Sequence, residues 1–422
     1  MNPSSTRFHY AWVVAGVTFF ILLIGAGIRS APGVFMVPVE QEFGWSRSAI
    51  SFALSVNLLL YGLVGPFSAA VMDRFGIRRI TILALVLLAM GTSLTTWMNA
   101  SWQLTLLWGV VVGLGSGCTA SVLGAIVANR WFAKQRGLVM GILTASGATG
   151  QLLFLPLLAS MAESEGWRSA SWIISSVALI MIPAVWILMR DKPSDKGLKA
   201  YGAIEEDDLA TTTQNPFKAA VNGLIKGVRS LDFWLLAGSF FICGLSTNGL
   251  IGTHFIAACL DHGIAAVTAA SLLALIGIFD IIGTTFSGWL SDRFSSRWLL
   301  FWYYGLRGIS LMLLPYALNS NAFGLGLFIV FYGLDWVATV PPTVKLTSDI
   351  FGRQQGSIMY GWIFTAHQLG AAVAAYGGGV VYTILNSYFF MFVVAGVFCL
   401  LASLMVMRIG KSAPASAITS NM

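Results

Sequence analysis

Six ionisable residues stand inside stretches that are otherwise apolar: Arg29, His254, Asp280, Arg307, Asp335 and His367. A cation at membrane depth costs about 3 kcal/mol or more and is kept facing a partner or a water-filled cavity. Arg29 lies in Gly25-Ala-Gly-Ile-Arg29-Ser-Ala-Pro32-Gly33, where Gly25 and Gly33 share its helix face one turn to either side. Small residues there let an anionic ligand or a neighbouring helix approach the guanidinium; the plainer alternative is snorkelling to the nearer interface. Asp280 is followed by Thr284 and Ser287 at helical spacing, which makes one polar stripe. Tyr303 and Tyr304 precede Arg307, Tyr332 precedes Asp335 and Trp336, and Tyr360 precedes His367 by two turns, with Gln368 beside it. An unpaired buried charge is costly, so Asp280 and Arg307 are expected to find each other or another opposite charge. An anion competing for the arginine would free the carboxylate to take a proton, a physical basis for cotransport. His367 is the second proton-carrier candidate because imidazole titrates near neutral pH; a histidine that only hydrogen-bonds is the alternative. The chemistry implied is the binding of an anion and the movement of a proton. No nucleophile–base pair, metal cluster or phosphate-cradling loop stands out, so no enzyme, metal site or cofactor is expected.

The elements that must hold these residues are membrane helices. The chain has 422 residues, 57% hydrophobic and 10% charged, with a mean hydropathy of +0.80; a soluble domain carries about 25% charged residues. Twelve apolar runs, each near or above the roughly 20 residues that cross a bilayer, lie at about 10–37, 48–72, 79–98, 102–129, 136–161, 168–189, 230–260, 265–291, 298–318, 321–345, 355–384 and 387–408. They are continuous rather than alternating, which excludes a spanning β-barrel. Met-Asp73-Arg74-Phe-Gly76-Ile-Arg78 recurs 219 residues later as Ser-Asp292-Arg293-Phe-Ser-Ser-Arg297. Phe132-Ala-Lys134-Gln-Arg136-Gly137 answers Phe351-Gly-Arg353-Gln-Gln355-Gly356 at the same offset. The expected fold is an all-α membrane protein, twelve transmembrane helices in two pseudo-symmetric six-helix bundles. The bundles are placed at 1–189 and 230–422, joined by a linker at 190–229 with a short interfacial helix at 216–228. Asp73, Arg74 and Arg78, with Asp292, Arg293 and Arg297, are read as paired gating latches; the bland alternative is loops that merely obey topology. The same offset puts Asn248 at the repeat position of Arg29.

Of the 24 lysines and arginines, 20 fall at the two termini, in the 190–229 linker, or after even-numbered helices, and Arg47 and Arg168 sit on the opposite side. By the positive-inside rule, both termini and the linker are cytoplasmic in a cell (inner) membrane. The net charge of +7 is thus a topology signal and implies no nucleic-acid partner. The first run has the length of a span and lacks a small-residue cleavage site, so it is not read as a signal peptide. Cysteines 118, 243, 259 and 399 have apolar neighbours and no paired spacing, so no disulfide framework is expected.

Twelve spans, a central loop and paired Asp-Arg-x-Gly-x-Arg-like motifs resemble the major facilitator superfamily over nearly the whole chain. Within it, Trp131-Phe132-Ala-Lys134-Gln-Arg136-Gly-Leu138-Val-Met-Gly141 is similar to a signature of monocarboxylate transporters and of the related oxalate:formate antiporters. A second signature is degenerate: Tyr10-Ala11-Trp12 keeps its aromatics, but Arg7 stands where an acid should be. The resemblance implies that Asp280 matches an aspartate of helix 8, with Thr284 at the family's arginine position. It sets His367 at the basic position of helix 11, and Ser30 at the helix 1 lysine, beside Arg29. Arg29 and Arg307 are then the available carboxylate binders, lined by Tyr303, Tyr332, Trp336, Tyr360, His367 and Asn248. Such a lining suits a larger aromatic or lactone-type carboxylate as well as a lactate-like one. The expected function is proton-coupled secondary transport of a small organic anion, a monocarboxylate, by a monomer in the lipid bilayer. The rivals are an efflux carrier for a neutral or cationic compound, with Asp280 and Asp335 as the binding charges, and a non-transporting receptor on a transporter fold.

Overall fold

The structure is a computed structural model and describes residues 9–203, 216–319 and 322–410. Among these described residues, twelve long helices carry the chain back and forth. Those of the first half are α1 (Tyr10–Phe43), α2 (Arg47–Phe75), α3 (Ile77–Leu94), α4 (Ser101–Trp131), α5 (Arg136–Ser164) and α6 (Trp167–Leu188). Those of the second are α7 (Leu231–Asp261), α8 (Ala266–Arg293), α9 (Ser296–Asn319), α10 (Phe323–Phe351), α11 (Arg353–Leu385) and α12 (Phe389–Val406). Where a short interfacial helix was expected in the linker, Pro216–Gly227 is helical. Turn chemistry sets the joints. His9 accepts from Ala11 N to start α1, Gly44 ends it at φ +65°, and Ser46 accepts from Ala49 N to start α2.

Among the described residues, eleven helices are long and apolar enough to cross a membrane. The exception is α9, the helix that carries Arg307. At 24 residues it is about 36 Å long, enough to span; its charges and polar residues, not its length, set it apart.

Two helices depart from regular α geometry near the proposed chemistry. α7 is π-helical over Leu245–Ile251, a wide turn often found at functional sites. α10 stops at Asp335 and restarts at Val340. Pro341 and Pro342 lack N–H donors and suit the first turn of a new helix, so the break falls just before them.

The halves meet mainly through two helix pairs, α2 with α11 and α5 with α8, with α1 against α7 beside them. A shift of 219 residues carries α2 onto α8 and α5 close to α11, so the two pairs exchange under the internal symmetry. Within the second half, α7 and α11 are so close that a methyl on Gly244 would fall on the His367 carbonyl, and α8 meets α10 with Gly283 on the Leu334 carbonyl. A methyl on Gly361 meets nothing within 4 Å. Gly244→Ala and Gly283→Ala are therefore expected to cost about 1–3 kcal/mol each by overpacking, whereas Gly361→Ala stays within about 0.5 kcal/mol. Thermal unfolding of the purified variants in detergent checks the contrast.

Candidate functional site

Arg29 projects from the glycine-flanked turn of α1 onto α2, its guanidinium carbon 4.9 Å from the centroid of the Tyr61 ring. Gly25 leaves the room: a methyl there would lie 3.5 Å from Nη1. Tyr61 meets Phe364 of α11 edge-on at 6.2 Å. Phe364 stacks on His367 at 5.7 Å, and His367 packs at 4.8 Å on Phe240 of α7. Tyr360 sits 6.0 Å from Phe240. An aromatic ladder thus runs from Arg29 in one half to Tyr360 and His367 in the other. Along it, Arg29 Nη1, His367 Nδ1 and both amide atoms of Gln368 are buried without a hydrogen-bond partner. Each such atom is costly, about 1–3 kcal/mol, unless something supplies its partner. Ion pairs among the described residues engage Arg47, Arg168 and Arg307, but not Arg29.

Arg307 has a different setting. Its Nε donates to Asp335 Oδ2 at 2.6 Å, Nη1 to Cys243 Sγ at 2.9 Å, and Nη2 to the carbonyls of Asp335 and Trp336 at 2.5 and 3.1 Å. Four of its five N–H groups are committed, and the side chain is buried. The two carbonyls are those that the α10 break leaves without helical donors. Asp280 is not its partner, contrary to the first of the expected pairings; Asp335 is the other opposite charge. Asp280 Oδ1 instead accepts from Thr284 Oγ1 at 2.8 Å and from Val337 N at 3.0 Å, which holds the same break from α8. Tyr332 donates to the Ser246 carbonyl at 2.7 Å, stacks on Phe328 and meets Trp336 edge-on at 5.6 Å. Arg307, Asp335, Asp280, Tyr332 and Trp336 therefore form one knot inside the second half, apart from the Arg29 ladder. Tyr303 and Asn248 are half-buried; Asn248 lies in the π-helical turn of α7, its carbonyl accepting from Thr253 Oγ1 at 3.0 Å.

Profile comparison matches the Major Facilitator Superfamily over residues 18–339 and 250–420. The chain belongs to the Major Facilitator Superfamily. As a member of that superfamily it is a multi-pass membrane transporter. It is 26% identical over 92% of its length to the uncharacterized MFS-type transporter YcxA of Bacillus subtilis (strain 168), covering 92% of that protein. It is 25% identical to monocarboxylate transporter 13 of Rattus norvegicus, over 93% of this chain and 87% of the relative. It is 24% identical to the oxalate:formate antiporter of Oxalobacter formigenes, over 87% and 84%. The crystal structure of a D-xylose-proton symporter superposes with a TM-score of 0.75 at 16% identity, covering 95% of this chain and 98% of that one; this supports the fold.

In this superfamily member the expected latches lie on the face that holds the linker. The side chain of Asp73 lies outside the described residues. Arg74 is exposed, its guanidinium 5.4 Å from the Phe75 ring, and Arg78 is half-buried. The α2–α3 joint is held by the linker: Asp191 Oδ1 accepts from Arg78 N at 2.9 Å, beside Gly76 at φ +91°. In the second copy Asp292 and Arg293 are exposed, Arg293 lies 4.0 Å from the Trp289 ring, and Arg297 is half-buried. There α8 is tied to α10, Lys345 Nζ donating to the Ser291 carbonyl. The signature segments also meet on this face. Trp131 and Phe132 are buried, Tyr201 of the linker pairs its backbone with them, and Tyr10 and Trp12 pack on their rings. Those aromatics act as a clamp between helix ends and linker.

The opposite face holds Arg47 and Arg168, the two cations that break the positive-inside pattern. Arg47, at the start of α2, bonds Asp261 at the end of α7 through Nη1 and Nη2 at 2.6 and 2.7 Å, and Glu40 of α1 through Nε at 2.8 Å. Its guanidinium carbon is 3.7 Å from the Tyr382 ring centroid. Arg168 pairs with Glu42 at 2.6 Å. Both cations that break the positive-inside pattern are thus neutralised by carboxylates. That exception to the pattern was the available signal.

Proposed function

We propose that the protein is a secondary active carrier of a small organic anion, a monocarboxylate, moving it across the cell membrane by alternating access with a coupled proton. The reading rests on one observation: Arg29 is a cation without a carboxylate partner on a ladder that joins the halves, while Asp335 and Asp280 already have donors. A cationic substrate would need a free acid; an anionic one needs a free base. Asp335 is held by Arg307, and Asp280 by Thr284 and Val337 N, so the anion reading is favoured over efflux of a cation. Arg29 binds the carboxylate, Tyr61, Tyr360 and His367 line it, and the halves 1–189 and 230–422 rock about it. Asp280, with His367, takes the proton. The distribution of lysine and arginine supports cytoplasmic termini and linker, and relatives that include a monocarboxylate transporter and an oxalate:formate antiporter support a small carboxylate as the substrate class.

Proteoliposome counterflow tests the sign of the substrate. Carboxylates are expected to exchange and organic cations not to; the reverse outcome rejects the reading. Asp280→Asn keeps an oxygen for Val337 N but cannot gain or lose a proton. It is expected to retain counterflow while losing pH-driven accumulation by at least about 10-fold, measured under an imposed pH gradient.

A further inference from the structure

We propose that His254 is a proton-binding site whose occupancy releases the Arg47–Asp261 latch and so opens the face away from the linker. The latch ties α2 of the first half to α7, α11 and the start of α12 in the second. Beside the Arg47 pairs, Tyr382 donates to Asp261 Oδ1 at 3.1 Å and Ser48 N donates to Thr383 Oγ1 at 3.2 Å. A methyl on Gly379 would press on Ser51 and on the Arg47 carbonyl, so the contact is tight. On the other face, Gly141, Gly288 and Gly361, in the linker-side parts of α5, α8 and α11, each have nothing within 4 Å of an added methyl.

His254 is fully buried, with Nε2 2.7 Å from the Ala375 carbonyl and Nδ1 3.1 Å from Tyr388 Oη. A carbonyl only accepts, so Nε2 carries the hydrogen and the neutral ring offers Nδ1 as acceptor. Tyr388 must then donate to Nδ1, which leaves its oxygen free to accept from Arg47 Nη1 at 3.2 Å. The chain runs Arg47 to Tyr388 to His254 to Ala375, every donor used once. A proton added to Nδ1 breaks its middle link. Two cationic N–H groups then converge on one phenol oxygen, and the phenol hydrogen of the buried Tyr388 loses Nδ1 as its acceptor. The Gly378 backbone passes close to the ring: a methyl there would lie 2.6 Å from Nε2. The titratable groups linked to it are Tyr388 before α12 and, through Tyr388, Arg47 on α2, with Glu40 on α1 and Asp261 at the end of α7 bonded to Arg47 and Tyr382 on α11 bonded to Asp261; residues 266–279 of α8 contribute no titratable side chain. Glu40 and Asp261 are already bonded to Arg47, and Arg47 is the charge that acts on the imidazole among the described residues. The added proton therefore weakens the closed arrangement, and parting of the latch admits water to both cations.

This inference rests on the alternating-access part of the proposed function, and its test needs no substrate, so failure to transport carboxylates leaves it standing. The test is hydrogen–deuterium exchange of segments 252–262 and 379–388 in lipid nanodiscs, corrected for intrinsic rates. Between about pH 7.5 and 4, a range wide enough to cover the cost of charging a buried imidazole beside a guanidinium, exchange in the wild-type protein should rise roughly 3-fold or more. His254→Gln can accept from Tyr388 and donate to Ala375 but does not titrate, so it should stay at the slow level at both pH values. Tyr388→Phe should exchange fast at both. Wild-type exchange that ignores pH overturns the proposal, as does a full pH response surviving in either variant.

Discussion

Arg29→Ala is expected to lower carboxylate uptake at least about 100-fold while leaving thermal stability unchanged or raised. The loss follows from removing the one charge-assisted donor set that the ladder offers an anion; truncating such a partner in a desolvated site costs about 2–5 kcal/mol, and about 2.7 kcal/mol is already two decades. Stability moves the other way because Arg29 Nη1 is buried without a partner, and removing an uncompensated cation relieves a cost. Arg29→Lys should fall between. It keeps the charge but loses the planar fork and the face-on contact with Tyr61. Tyr61→Phe keeps a ring beneath the guanidinium and should retain most activity. Initial rates in proteoliposomes, beside melting temperatures of the same preparations, make the check. Unchanged uptake in Arg29→Ala would return Arg29 to the snorkelling alternative.

Helix existence was legible because twelve long apolar runs have few physical solutions in a bilayer. The repeat was legible as well: Asp73 and Asp292, with Phe132 and Phe351, share one offset, and the α2–α11 and α5–α8 pairs exchange under it. Partner choice was not. Helical spacing says which residues share a face but not which helix lies opposite, so it leaves Arg307 with Asp280 or another opposite charge, and the α10 break supplies the second, Asp335, together with two open carbonyls. That break was marked in the sequence by Pro341-Pro342, inside a run read as one continuous span. The Arg29 ladder was half visible. Arg29, Tyr360 and His367 stood out as polar groups in oil, whereas Phe240 and Phe364, which join them, look like any core aromatic. Arg47 and Asp261 are 214 residues apart, and only folding brings such a pair together.

The Arg307–Asp335 pair carries the largest expected effect on stability. Arg307→Ala leaves a buried carboxylate and two helix-end carbonyls without donors, and breaking a buried pair from one side costs about 3–5 kcal/mol. Asp335→Asn should cost less, since an amide oxygen can still accept from Arg307 Nε. Replacing both, as Arg307→Met with Asp335→Leu, removes the stranded charge. Recovery should be only partial because the Asp335 and Trp336 carbonyls, bonded by Nη2 at 2.5 and 3.1 Å, still lack donors. Thermal unfolding of the three variants gives the ordering, and uptake by the double variant decides between roles. A knot that only braces the α10 break should regain transport in step with stability. A double variant that is well folded yet inactive would mean that Arg307 also meets the substrate, and Arg29 would no longer be the sole cation in the binding step.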